Sequence, residues 1–195
     1  MVIRCLNEKH KYLLFIDIEF DSGKLIQFAG LLFKEIDKET YQLMRSYNSY
    51  VSEKVCYPFA EYTKITNNFL EENGVPLEDV IDHILNDFLF EVPLSELQVI
   101  SHGLRNDRII LNDNGVNLST YIDAKGRSKP IDGYCTFKNG RRILERNKFL
   151  SLNDLAEESG FYMIAPHNAY NDAWATVAIY TFLRKEEEQK KNEVN

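Results

Sequence analysis

The sequence holds few cysteines, no apolar run long enough to cross a bilayer and no excess of positive charge, and each absence removes a class of function. Its three cysteines, Cys5, Cys56 and Cys135, are odd in number and widely spaced, with no C-x-x-C and no nearby histidine pattern. That set excludes a disulfide framework and a zinc knuckle, and points to reduced, structural thiols. The start, Met1-Val2-Ile3-Arg4-Cys5-Leu6-Asn7-Glu8, has no long apolar segment or cleavage site. The expectation is therefore a cytoplasmic chain with no membrane partner. A formal charge of −7 argues against coating nucleic acid by bulk electrostatics, but leaves room for an enzyme that works on one strand end. With 44% hydrophobic and 27% charged residues over 195 positions, the chain has enough material for one α/β domain with a sizeable core.

The charge is unevenly spread. From Ala124 to Phe149 eight basic residues face two acids, Asp132 and Glu145, so this stretch carries +6 in an otherwise acidic chain. Residues 1–185 read as a single domain with a basic insertion near 124–149, and residues 186–195 as a charged tail, a solvated helix end. Within the insertion, Asn139-Gly140 lies between two strand-like runs, which predicts a hairpin. Elsewhere, Leu13–Phe20, Lys24–Phe33 and Thr40–Val51 predict a three-strand meander. Pro76–Phe90 has the three- and four-residue apolar spacing of an amphipathic helix. Leu97–Ser101 predicts a core strand, Asp107–Asn112 a helix, Leu118–Ile122 a fifth strand, and Ala169–Lys185 the last helix.

The first strand carries the chemistry. Side chains alternate faces along a strand, so Asp17 and Glu19 in Leu13-Leu14-Phe15-Ile16-Asp17-Ile18-Glu19-Phe20 share one surface. Two ionised carboxylates side by side in an apolar setting are costly unless a cation compensates them. Carboxylate oxygens suit a hard divalent ion, Mg²⁺ or Mn²⁺. Two further acids stand where ligands bind in α/β proteins: Asp107, just past the Leu97–Ser101 strand, and Asp172, in the last helix. His167 lies five residues before Asp172, which within one helix would place the two on different faces. Pro166 and Asn168 put His167 in the preceding loop instead, where it can face the same cleft and accept a proton near neutral pH.

In order and approximate spacing, Asp17-Ile18-Glu19, Asp107 and His167-x₄-Asp172 resemble the three motifs of the DEDDh 3′→5′ exonuclease superfamily. Leu25–Ala29, Ile65-Thr66 and the Ser151–Ala156 segment ending at Gly160 are similar to further stretches of that family. Two positions depart from it. Phe20 stands where a small residue is usual, and Ser101–Asp107 lacks the common His-Asn-Ala-x-Phe-Asp form. The resemblance implies a ribonuclease-H-like fold: a five-stranded mixed sheet, its first three strands an antiparallel meander and its last two parallel to the first, with helices on both faces. It implies two divalent ions per active site held by Asp17, Glu19, Asp107 and Asp172, with His167 as general base. The implied reaction releases nucleoside 5′-monophosphates from the 3′ ends of single-stranded DNA or RNA. Phe20, Leu25 and Ile26 become candidates to stack against terminal bases, and Arg141 and Arg142 to guide the phosphate backbone. His102 is held as a substrate-side or structural residue. A binding module without catalysis and a phosphatase for small phosphate esters remain as alternatives.

Overall fold

Aliphatic and aromatic runs build four strands before the first helix: β1 (Val2–Arg4), β2 (Tyr12–Asp21), β3 (Lys24–Asp37) and β4 (Thr40–Tyr50). Short helices follow, α1 (Tyr57–Thr63), α2 (Asn67–Asn73) and α3 (Leu77–Asp82), then β5 (Leu97–Ser101) and α4 (Leu104–Asp113). The remainder comprises β6 (Thr120–Ile122), β7 (Ser128–Pro130), β8 (Asp132–Cys135), α5 (Thr136–Ile143), α6 (Leu152–Glu158) and α7 (Ala169–Val194). The computed structural model describes residues 1–6 and 8–194. Among them no helix is long and apolar enough to cross a membrane.

Alternation along β2 sorts the core into two layers. Leu13 and Phe15 face α7 with Ala29, Leu31, Ala173 and Tyr180, whereas Leu14, Ile16 and Ile18 face α3 and α4 with Val80, Ile84, Leu104 and Leu111. Helices thus cover both faces of a sheet ordered β1-β4-β3-β2-β5-β8. The β2, β3 and β4 strands form the expected antiparallel meander, and β5 runs parallel to β2. The register of β2 against β3 slips between Glu19 and Phe20, so that Glu19 faces Gln27 but Phe20 faces Leu25. Such a bulge bends a strand and re-aims its side chains.

Local signals mislead in three places. The fifth strand of the meander-plus-parallel core is β8, paired parallel with β5, while Thr120–Ile122 forms a separate two-stranded ribbon with β7. In β8, Gly133 leaves room for α4: a Cβ there would lie 2.6 Å from Leu104 Cδ2. A strand reading Asp-Gly-Tyr-Cys has no apolar alternation to announce it. The Asn139-Gly140 pair is not a hairpin turn but lies inside α5, where Gly140 is buried against α6 and a Cβ would meet Leu155 Cδ1 at 2.9 Å. The need for a small residue at this crossing outweighs the turn preference of the dipeptide. Finally, the helix expected over Pro76–Phe90 widens after Asp82 into a π-helical turn over His83–Phe88, with Leu89 N–H donating to Ile84 O at 3.0 Å.

Residues 186–194 form the end of α7. Glu187 pairs with Arg142 at 2.8 Å and Lys190 with Glu145 at 2.5 Å, which fastens this end to the basic segment. Asn195 lies outside the described residues.

Candidate active site

The site is built where the carboxyl ends of β2 and β5 meet the start of α7. Glu19 lies opposite Gln27, which is completely buried. The Gln27 side chain donates to Asn48 Oδ1 at 2.8 Å and accepts from the first N–H of α7, that of Ala169, at 3.1 Å. One buried amide thereby sets the helix down beside the acidic strand. Asp172 falls in the first turn of α7, and its Oδ2 accepts from the backbone N–H of His167 at 3.2 Å. Its other oxygen, Oδ1, is buried without a hydrogen-bond partner. Asp107 enters from the first turn of α4 and accepts a hydrogen bond from Ser101 Oγ, which itself accepts from Gly103 N–H at 3.1 Å.

Burial and mutual repulsion shift the ionisation of these groups. Burial raises the Asp17 carboxyl well above its ordinary range, and repulsion from Asp107, Asp172 and Glu19 raises it further. Burial, then Asp172 and Asp107, push Glu19 up to about 7, and burial pushes Asp172 up to about 6. Asp107 is also raised by burial, despite the Ser101 hydrogen bond. Four carboxylates, Asp107 and Asp172 buried and Asp17 and Glu19 partly so, with too few donors form an unfavourable cluster in the absence of positive charge.

His167 stands in the loop before α7 with φ of 64°, a left-handed backbone that turns its ring back toward the acids. Its ring stacks on Tyr62 of α1 at a centroid distance of 4.0 Å. Ligand atoms of Glu19, His167 and Asp172 all lie within 4.8 Å of one another. Burial lowers the imidazole pKa, which favours the neutral base. Beside it opens an aromatic hollow of about 490 Å³ lined by Tyr50, Tyr62, Ile65, Phe69 and Pro166. The donor set, hard carboxylate oxygens with one orphaned lone-pair site on Asp172, fits a hard divalent cation.

The remaining sequence candidates are placed differently. Leu25 and Ile26 have no exposure and pack into separate clusters, Leu25 with Ile18 and Val51, Ile26 with Val55 and Ile65. They are corrected from base-stacking residues to walls of the core, because the bulge that follows Glu19 leaves only Phe20 at the surface, 41% exposed. His102 holds Thr136 Oγ1 through Nδ1 at 2.9 Å, and burial lowers its pKa to about 4, so it is neutral and fixed at the lip of the site. Arg141 and Arg142 lie on α5: Arg141 donates to the carbonyls of Arg146 and Asn147, and Arg142 pairs with Glu187. Sequence reasoning missed Gln27, Ser101 and Tyr62. For Gln27 the signal was available, a lone amide in the aliphatic run Lys24–Phe33; Ser101 and Tyr62 carry no pattern of their own.

Neither a protein-family model nor a curated protein sequence matches the chain. Solved structures do. The nuclease domain of 3′hExo, a DEDDh family member bound to rAMP, superposes with a TM-score of 0.67 at 13% identity, over 91% of this chain and 93% of that one. Exonuclease X in complex with 5′ overhanging duplex DNA gives 0.61 at 19% identity, over 89% and 91%. A 3′-exonuclease in 3′-end-specific recognition of a histone mRNA stem-loop gives 0.67 at 12% identity over 91% of this chain, which spans 64% of that protein. At these identities the likeness establishes the scaffold: this chain has the ribonuclease-H-like α/β fold on which 3′→5′ exonucleases of the DEDDh family are built.

Proposed function

We propose that the protein is a divalent-metal-dependent 3′→5′ exonuclease that releases nucleoside 5′-monophosphates from single-stranded DNA or RNA ends. What supports this reading is the close grouping of Glu19, His167 and Asp172, with Asp17 and Asp107 near enough to repel them, on the scaffold of such enzymes. The four carboxylates would hold two ions, Mg²⁺ or Mn²⁺, which when bound supply charge compensation for the phosphate and make water more acidic.

The chain's own residues then divide the work. His167 accepts the proton of the attacking water, and its lowered pKa keeps it in the accepting form at neutral pH. The water oxygen forms a bond to phosphorus as the bond to the 3′ oxygen breaks, and that oxygen takes up a proton from solvent. Tyr62 backs the imidazole, Gln27 fixes the start of α7, and Ser101 orients Asp107. Phe20, exposed after the bulge, and the aromatic hollow beside His167 offer flat apolar surface to bases without reading their identity.

A 3′-labelled single strand incubated with the protein and Mg²⁺ or Mn²⁺ is expected to release mononucleotides, and chelator to stop the release. Matched RNA and DNA strands run in parallel assign the sugar preference. Hydrolysis of a simple phosphate monoester at the same rate as the oligonucleotide would refute the exonuclease reading, and so would absence of any release.

A further inference from the structure

Beyond the acids, the same edge of the sheet turns basic. An open cleft of about 720 Å³ lies between α4 and α5 and receives Arg105 and Arg108 from one helix and Lys138 from the other. Asp113 is the single carboxylate that lines it. On the far side of α5 a smaller hollow of about 330 Å³ shares Lys138 and adds Arg141, Arg142 and Arg146. Lys138 lines both hollows, each rich in basic residues, on a chain whose overall charge is −7.

Most of these cations are engaged by the protein. Arg108 donates to the carbonyls of Ile131 and Asp132 at 3.0 and 3.1 Å, Arg142 pairs with Glu187 at 2.8 Å, and Arg146 reaches Glu158 at 3.5 Å. Among the described residues Arg105 and Lys138 make no ion pair, and both line the larger cleft. Exposed cations without an ion pair are free to meet a ligand of opposite charge. Arg105 precedes Asp107 by two residues, about 200° around α4, so the acid faces the sheet while the base faces solvent. In the strand order β2-β5-β8, the start of α5 lies two strand spacings, about 10 Å, from Asp17 and Glu19. The lip between them, His102 hydrogen-bonded to Thr136, is neutral.

We propose that this cleft is the track for the sugar–phosphate backbone of the strand 5′ to the cleaved nucleotide, with Arg105 and Lys138 as its phosphate contacts. The proposal rests on the nuclease reading above and adds to it where the uncleaved part of the substrate runs. Such contacts are independent of sequence, release counterions, and act only on strands long enough to reach them.

The test is binding of 5′-fluorescent oligothymidylates in chelator, where no cleavage intervenes, to wild type and to the double variants R105A/K138A and R105E/K138E. For an oligonucleotide of about 12 nucleotides the alanine pair is expected to weaken binding roughly tenfold and to lower the slope of log K against log salt by about 1.4, at about 0.7 per phosphate contact on a single strand. The charge-reversed pair weakens it further, and a trinucleotide binds all three proteins alike. With metal added, KM for the long strand rises while kcat holds. Equal losses on both lengths, an unchanged salt slope, or failure of wild type to bind the long strand would overturn the track. Failure of the nuclease reading is separate: it leaves binding and its length dependence intact but abolishes metal-dependent release in wild type. Both side chains are exposed and, among the described residues, make no ion pair, and matching circular dichroism melts confirm that the variants fold.

Discussion

A lone buried carboxylate and a cluster of four sit toward opposite ends of β2, and their supply of hydrogen-bond donors differs. At the amino end, Glu8 is 2% exposed yet accepts from the backbone N–H groups of Lys9 and His10 at 2.8 and 3.0 Å, from His10 Nδ1 at 2.5 Å and from Tyr180 OH. Burial alone would raise its pKa, but these donors outweigh it and hold the group at about 2. At the carboxyl end, Asp107 and Asp172 are buried and Asp17 and Glu19 partly so, but few donors reach them, and all four pKa values go up. Burial does not separate a structural acid from a functional one. The supply of donors within the chain does: a satisfied carboxylate contributes to stability, whereas a deprived one awaits a cation from outside.

The sharpest way to test this contrast is Asp17→Asn. Nuclease activity should fall to background in a single-turnover assay. The metal-free protein should melt higher, by about 2–4 °C if the relieved repulsion is on the order of 1 kcal/mol. A lower melting temperature would mean that the acid cluster is satisfied after all. Next comes His167→Gln, which removes the proton acceptor but no carboxylate: kcat should fall by about 10²- to 10⁴-fold. Metal-induced stabilisation, read from melting curves with and without Mn²⁺, should largely remain.

At the other end, Glu8→Gln and Tyr180→Phe should each lower stability by about 1–3 kcal/mol in urea titrations, because they strand buried donors or acceptors. Activity per folded molecule should not change. The smallest effect is on pH. For Glu19, folding raises the pKa to about 7, so the native state holds a proton that the unfolded chain has lost. Stability of the metal-free protein therefore rises as pH falls from above 7 toward 4.5, the ordinary value. His10, raised by Glu8 and Asp132 against burial, acts in the same sense: its contribution is complete below 6.5 and is lost as pH rises through its folded value. Glu8 acts oppositely, stabilising above 4.5 and losing that contribution as pH falls toward about 2. Melting temperature against pH should thus peak on the acid side of neutrality. Glu19→Gln should flatten the neutral limb, and Glu8→Gln the acidic one.

What the sequence disclosed follows the same division. The acids at the carboxyl end were legible because a strand should not hold Asp17 and Glu19 on one face, and their misfit is a local signal. The cluster around Glu8 was not, since its partners Tyr180 and Gln98 are remote in sequence and each is ordinary where it stands. Among the elements, β2, β3 and β4 announce themselves by β-branched and aromatic runs. The β8 strand and α5 do not, because Gly133 and Gly140 are there to let neighbouring helices approach. Leu25 and Ile26 were misread for a related reason: an apolar residue near an active site has the same letter whether it meets a base or the core.

Helix α7 carries Asp172 in its first turn and Tyr180 eight positions on, an axial separation of about 12 Å. It therefore acts as a ruler between the two ends of β2, its divisions set by chemistry at both marks. Inserting or deleting a single residue in that interval would swing one mark about 100° around the axis, so the spacing between Asp172 and Tyr180 is fixed by the chemistry at both.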